Sequence, residues 1–361
     1  MSPSTGVLST TPTTINSNQE FYLSANILIP YGIVMTLILV FGSVGNVLTI
    51  LVLRCPEHKR KNITPLMINL AIVDIVIIVF GYPVVVASNY TSSGLNVRES
   101  RISCIWSGFI NGSTGIASIA NLTMMSLVMF HGVSSVTKTT KISTIKMAAI
   151  ITFTWVYGVV AMIPPLVGWN EFVPGASGIS CCPNWVPETK AGVAYNMLLV
   201  FIGFVLPLCV IIFCYYRIYS FIRIQQPTSG NASVEASRRK SQIKMMRMIA
   251  MSIAAFVLSW SPYCLVSIIA TIRGTNTLTP SEAEVPDLLA KASVIYNPIV
   301  YTVMNDRFRA TLLRIIPCNS FFSREVKPTS DSVSRSAGSI IDNANSFSEK
   351  RRSQKYQSEV F

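Results

Sequence analysis

Apolar residues in this chain run in long blocks, and polar residues gather between the blocks instead of threading through them at helical or strand spacing. A surface helix keeps a polar stripe, whereas a helix embedded in lipid needs about 20 mostly apolar residues to cross roughly 30 Å of hydrocarbon. Seven segments meet that requirement, at 27–53, 66–87, 102–133, 147–167, 197–222, 245–272 and 285–304. The pattern predicts an all-α membrane protein, a seven-transmembrane helix bundle. Residues 1–26 are polar and rich in Ser and Thr, with no basic region ahead of an apolar stretch, so no cleaved signal peptide is expected. Residues 318–361 carry too little apolar surface to fold alone and read as a disordered tail. Its hydroxyls, Ser332, Ser334, Ser336, Ser346 and Ser348 among them, either accept phosphate or simply solvate the tail.

Half of the 361 residues are hydrophobic and 12% are charged, against roughly 25% charged in soluble domains. That balance excludes an ordinary soluble enzyme. The formal net charge of +13 would suit a nucleic-acid partner, but Lys and Arg flank the apolar blocks and build no basic domain interleaved with aromatics. Four basic residues lie between the first and second spans, three between the third and fourth, seven around the loop joining the fifth and sixth, and ten after the seventh. The opposite side has none in its N-terminal segment and two, one and one in its loops. Basic residues accumulate at cytoplasmic ends, so the chain is expected in the cell membrane with its N-terminus outside and its C-terminus cytoplasmic.

Eight cysteines spread over membrane spans make no disulfide framework. Cys104 opens the third span on the outer side, and Cys181 and Cys182 lie in the outer loop between the fourth and fifth, which allows one bridge in oxidising space. Cys104–Cys181 is the preferred pairing, with Cys182 as the alternative partner. His58 and His131 are the two histidines, and no His–Cys spacing suggests zinc. Asn89-Tyr90-Thr91 is a glycosylation sequon near the outer end of the second span; the matches at Asn111 and Asn121 fall inside the third span, beyond the glycosylation machinery.

An ionisable residue inside a span is costly and therefore a functional candidate. Three stand deep in the blocks: Asp74 in the second span, and Asp287 and Lys291 in the seventh. A lysine among Leu288, Leu289, Ala290, Ala292 and Val294 could hold helices together as an ion pair or snorkel to the interface. Its amine could also condense with an aldehyde to a Schiff base, which Arg cannot imitate.

The seventh span reads Ala290-Lys291-Ala292-Ser293 and then Tyr296-Asn297-Pro298-Ile299-Val300-Tyr301. Gly45-Asn46, Asn69-Leu70-Ala71 with Asp74, Trp155, Pro207, Tyr215 and Trp260-Ser261-Pro262-Tyr263 occur in order along the other spans. Together these residues resemble the opsins, rhodopsin-like receptors that carry retinal on a lysine of the seventh helix. The resemblance implies retinal, in its 11-cis form, bound covalently to Lys291. It also implies a chromophore pocket including Phe109, Trp260 and Tyr263, and a switch network of Asn46, Asp74, Asn297, Pro298 and Tyr301. Residues 305–317, with Phe308, look like the family's short amphipathic eighth helix, and Cys318 like its lipid anchor.

A protonated Schiff base in an apolar pocket needs a nearby negative charge. The family's usual acid positions correspond here to Ser107, three residues after Cys104, and to Gly175 when Trp169 and Pro174 are aligned with its loop pattern. Neither carries charge. Asp287 is the expected counterion: it lies four residues before Lys291, where helical side chains are neighbours, and the lysine leans toward the preceding turn. Two alternatives stand beside it, a hydrated Asp287 facing the outer vestibule like Glu282 and Glu284, and a chloride bound near Ser107.

The cytoplasmic end departs from the family. Where G-protein-coupled opsins carry an acid, an arginine and an aromatic at the end of the third span, this chain has Val128-Met129-Phe130, and Gln242 stands where the sixth span's acid should be. Arg238-Arg239-Lys240 in the preceding loop could meet a transducer or anionic lipid. The reading is a light-sensing opsin that signals to a G protein, with arrestin and a receptor kinase as further partners through the Ser-rich tail. A non-signalling retinal photoisomerase is the alternative, and a receptor for a diffusible ligand with an incidental lysine is a third.

Overall fold

The structure is a computed structural model that describes residues 25–58, 62–90, 97, 100–134, 142–175, 178–224, 232–275 and 279–316. The described helices belong to one unit that ends at Ile315; the expected tail, with Cys318 and the serines, lies outside the described residues, as does nearly all of 1–26. In chain order the helices are α1 (Ala25–Arg54), α2 (Thr64–Phe80), α3 (Tyr82–Tyr90), α4 (Arg101–Ser134), α5 (Thr144–Ala161), α6 (Lys190–Val200), α7 (Leu206–Ile224), α8 (Ala232–Arg273), α9 (Pro280–Met304) and α10 (Asp306–Ile315). A two-stranded antiparallel hairpin, β1 (Phe172–Pro174) and β2 (Cys181–Pro183), lies between α5 and α6.

Six stretches are apolar and long enough to cross a bilayer by composition, among them Thr64–Tyr90, which joins α2 and α3 across a break at Gly81, and Lys190–Arg223, which joins α6 and α7 through a π-helical turn at Phe201–Val205. The seventh crossing is α9. Glu282, Asp287 and Lys291 dilute its apolar character, but it packs between α8 and α1 as a full member of the bundle. Its start is set by a capping box: the Thr279 hydroxyl accepts from the Glu282 amide, and the Glu282 carboxylate accepts from the Thr279 amide. The helices keep large apolar side chains on the outside, such as Phe41, Ile212 and Leu258, as a lipid-facing surface requires.

Close approach of α4 and α5 depends on Gly158, where a Cβ would collide with the Ser113 carbonyl. A second local device repairs α9. Pro298 cannot donate to the Val294 carbonyl one turn back, and the Asn46 side-chain amide on α1 donates to it at 3.0 Å.

A short helix, α10, follows the seventh crossing within the expected 305–317 and ends two residues before that bound. Phe308 is buried beneath it, edge-on to Tyr301 and to His58, and the His58 ring nitrogen Nε2 lies 3.2 Å from Thr311 Oγ1. Four span boundaries also move, the fourth span ending at Ala161 and the seventh starting at Pro280. The sixth runs back to Ala232 through the charged Arg238-Arg239-Lys240, and the fifth starts at Lys190.

Candidate functional site

At the hairpin end of the bundle lies a cavity with about 960 Å³ of atom-free space, its mouth included. Its walls are mainly apolar and aromatic, with Met162, Leu199, Phe204, Phe256, Trp260 and Tyr263 among them. The α4 wall includes Gly108, Gly112 and Gly115 beside Asn111 and Ile116, and at Gly115 a Cβ would stand 2.8 Å from the Trp260 ring. A Cβ at Gly108 would overlap Phe172 and one at Gly112 would overlap Met162, so these glycines let the neighbouring side chains pack directly on the α4 backbone.

Trp260 stacks on Phe256, with ring centroids 5.6 Å apart, and meets Tyr263 edge-on. The Trp260 indole N–H donates to Ser293 Oγ at 3.3 Å, and the Trp185 indole N–H donates to the Tyr263 hydroxyl at 3.0 Å. Phe109 does not join Trp260 and Tyr263 at the wall. It packs instead against the apolar cluster that contains Phe172 and Tyr195.

Lys291 and Asp287 both line the cavity and form an ion pair, as the four-residue spacing on α9 allows, with side chains 8% and 17% exposed. Two further groups gather there. Lys291 Nζ donates to Ser180 Oγ at 3.2 Å, and Ser180 Oγ donates to Asp287 Oδ2 at 3.2 Å. The Tyr31 hydroxyl of α1 donates to the same Oδ2 at 2.8 Å. Tyr82 donates to the Lys291 carbonyl at 2.8 Å and so ties α3 to the lysine's backbone. Ser180 had one signal in the sequence, its place beside Cys181. Tyr31 had none.

The hairpin carries Ser180 to the site. Cys181 is bonded to Cys104 at the start of α4, and the Gly175 amide donates to the Ser180 carbonyl at 2.9 Å. Cys182, the alternative bridge partner, remains a free thiol lining the cavity, and burial pushes it up to about 11. The two usual acid positions are filled as the sequence says: Ser107 is fully buried and accepts from Asn111 Nδ2 at 3.2 Å, and Gly175 sits in the hairpin.

Farther along the bundle, Asn297 Nδ2 donates to Asp74 Oδ2 at 3.2 Å. Asn46 does not reach that carboxylate in this arrangement; its amide serves the carbonyls of Gly42 and Val294. Tyr301 is fully buried in the apolar cluster at the α10 end. Met129, at 8% exposure, belongs to the same cluster, with Val128 and Phe130 packed against it. Charge at that end is carried elsewhere: Lys244 of α8 pairs with Asp306 of α10, Arg309 lies 2.9 Å from Asp306, and Arg314 lies 2.8 Å from Glu57. Asn89 occupies the last turn of α3, its amide donating to the Val85 carbonyl at 2.8 Å.

The profile of the 7 transmembrane receptor (rhodopsin family) matches residues 45–301. Among curated proteins, Melanopsin-B of Xenopus laevis is 32% identical over 326 residues, covering 88% of this chain and 60% of that protein. The visual pigment-like receptor peropsin of Homo sapiens is 28% identical over 294 residues, covering 80% of this chain and 86% of that protein. A protein named Rhodopsin, GQ-coupled, from Mizuhopecten yessoensis is 26% identical over 297 residues. The chain spans about 60% of the length of the melanopsins it matches. The crystal structure of squid rhodopsin superposes with a TM-score of 0.75 at 23% identity, covering 82% of this chain and 87% of that one, which is a likeness of fold.

Proposed function

Since this chain belongs to the rhodopsin family of seven-transmembrane receptors and is of the opsin type, we propose that it is a light receptor whose cavity takes retinal, bound as a Schiff base to Lys291. The observation that carries this reading is a primary amine, 8% exposed, in the wall of a largely apolar cavity. An ion pair needed only to hold helices together has no use for such a space beside it. Retinal would supply a polyene aldehyde that isomerises on absorbing light.

The chain's own residues do the rest. Lys291 anchors the group, Asp287 offsets the positive charge on the bound nitrogen, and Trp260 and Tyr263 supply aromatic wall. The apolar lining excludes water, which keeps the charge pair unscreened. Trp260 reaches α9 through Ser293, and Pro262 inside α8 with Pro286 and Pro298 inside α9 mark where those helices can bend. A shift at the cavity would then reach the α10 end as a change between two packed arrangements.

The partner in this reading is a G protein, with arrestin and a receptor kinase acting on the tail. The name of the Mizuhopecten relative, a GQ-coupled rhodopsin, supports the general class. A second reading has a specific observation in its favour. Met129 is packed into an apolar cluster where signalling opsins carry arginine, which suits a retinal photoisomerase without a transducer.

The test is to purify the protein with 11-cis and with all-trans retinal, record absorption before and after illumination, trap the adduct with borohydride and map the labelled peptide. Light-dependent nucleotide exchange on G proteins is assayed alongside. A visible pigment with its label on Lys291 and with exchange in the light is the expected result. A label elsewhere, or no adduct, ends the photopigment reading. Binding of all-trans retinal in the dark, release of 11-cis after light and no exchange would establish the photoisomerase.

A further inference from the structure

The acid beside Lys291 is held by more than the lysine. Asp287 has two oxygens with separate partners: Oδ1 faces Lys291 Nζ, while Oδ2 accepts from the Tyr31 hydroxyl at 2.8 Å and from the Ser180 hydroxyl at 3.2 Å. We propose that Tyr31 of α1 and Ser180 of the outer hairpin are positioning residues of the counterion, fixing the carboxylate through Oδ2 so that Oδ1 is aimed at the Lys291 nitrogen. The proposal rests on the retinal reading for its role in a pigment, and on the geometry alone for its role in the retinal-free protein.

Both donors are themselves fixed. Tyr31 is 4% exposed and packs in a cluster with Val85, Ile179 and Val294. Ser180 is buried next to the Cys104–Cys181 bridge, and its carbonyl is engaged by Gly175. Neither side chain needs to be ordered when the charge pair forms, so the orientation is prepared in advance. Hydrogen bonds to an ionised acceptor are roughly twice as strong as neutral ones, and two of them on one oxygen resist rotation of the carboxylate.

The ring Lys291–Ser180–Asp287 also predicts a redistribution. The free amine donates to Oδ1 and to Ser180 at once. A nitrogen condensed with an aldehyde keeps one proton, so Oδ1 and Ser180 compete for it. The ionised carboxylate oxygen is the stronger acceptor of that proton, and Ser180, which donates to Oδ2, acts by holding the carboxylate in place. The other titratable groups facing Asp287 are Tyr82 on α3, Cys182 on β2 and Tyr263 on α8.

Wild type, Tyr31→Phe, Ser180→Ala, the double variant and Asp287→Asn are reconstituted with retinal, and the pH at which the visible band gives way to an ultraviolet one is measured. Phe keeps the ring and the packing of Tyr31. Each single variant is expected to move the midpoint down by about one unit, a roughly 10-fold change, and the double variant further, as loss of a hydrogen bond to a charged group implies. If both single variants titrate with wild type while Asp287→Asn does not, the proposal is overturned. A second measurement needs no retinal: reductive methylation of Lys291 by formaldehyde and cyanoborohydride, followed by peptide mass spectrometry. The labelling rate at fixed pH should rise several-fold in Tyr31→Phe and in Ser180→Ala. If no variant, wild type included, forms a pigment, the retinal reading fails. The methylation rates then decide alone, and unchanged rates overturn the positioning role.

Discussion

Replacing Asp287 with Asn removes one partner of a buried ion pair while nearly preserving shape. Side chains only 8% and 17% exposed leave little water to screen the lysine nitrogen. Breaking such a pair from one side costs about 3–5 kcal/mol, and at about 1.36 kcal/mol per pH unit the bound nitrogen should lose its proton roughly two to four units earlier on the pH scale. The lower part of that range is expected, because Ser180 remains within reach of the nitrogen. The assay is an absorption titration of detergent-purified pigment between pH 4 and 10, with Asp287→Glu as a control that keeps the charge. The Asn pigment should absorb in the ultraviolet at neutral pH and regain a visible band on acidification, and the Glu pigment should stay visible. An Asn pigment with the wild-type band and midpoint would refute Asp287 as the counterion. The charge would then have to come from a bound anion, which dialysis against chloride-free buffer near Ser107 would expose as a spectral shift.

Cys181→Ser opens a bridge that spans 77 residues, and chain entropy puts the loss at about 4–5 kcal/mol; thermal inactivation in detergent should accelerate sharply, and the free thiol of Cys182 should not rescue it. Met129→Arg would bury an unpaired charge in an apolar cluster, so the variant should express poorly instead of gaining G-protein activity, while adding Gln242→Glu should recover part of the yield. Hydrogen bonding and charge from Lys244, with a smaller contribution from Arg309, hold the Asp306 carboxyl below its ordinary 3.8. The contact between α8 and α10 is therefore fully present above that value and lost as pH falls below it. Spin-label distances between the two helices should be constant from pH 7 to about 4 and lengthen in stronger acid, and Asp306→Asn should remove that dependence.

The crossings were legible because lipid imposes a length on every apolar block, and Asp287 beside Lys291 was legible because helical spacing is local. What failed was either polar or distant. The fifth crossing begins at Lys190, ahead of its expected start, because Asn196 is buried and satisfied there by the Asn184 carbonyl and Thr271. No periodicity reveals that partner. The sixth extends through Arg238-Arg239-Lys240, where a helix outside hydrocarbon needs no apolar residues. Phe109 was carried over by position in a family, and the folded chain packs it against the cluster of Phe172 and Tyr195 instead. Tyr31 stands 256 residues from Asp287, a distance over which only the folded chain has information.

The amide of Asn46 supplies α9 with a rung that its own backbone lacks. That makes the first crossing a splint for the seventh, fastened three residues below Lys291 and one turn above Pro298. Twisting the lysine-bearing part of α9 therefore loads this splint before it loads anything nearer Tyr301. A carbonyl that came loose there, with no proline N–H to receive it, would have to find another donor, so the joint has discrete positions and not a continuum. The first helix, whose described residues contribute no wall to the cavity, is in this way a brake on the element that carries its amine.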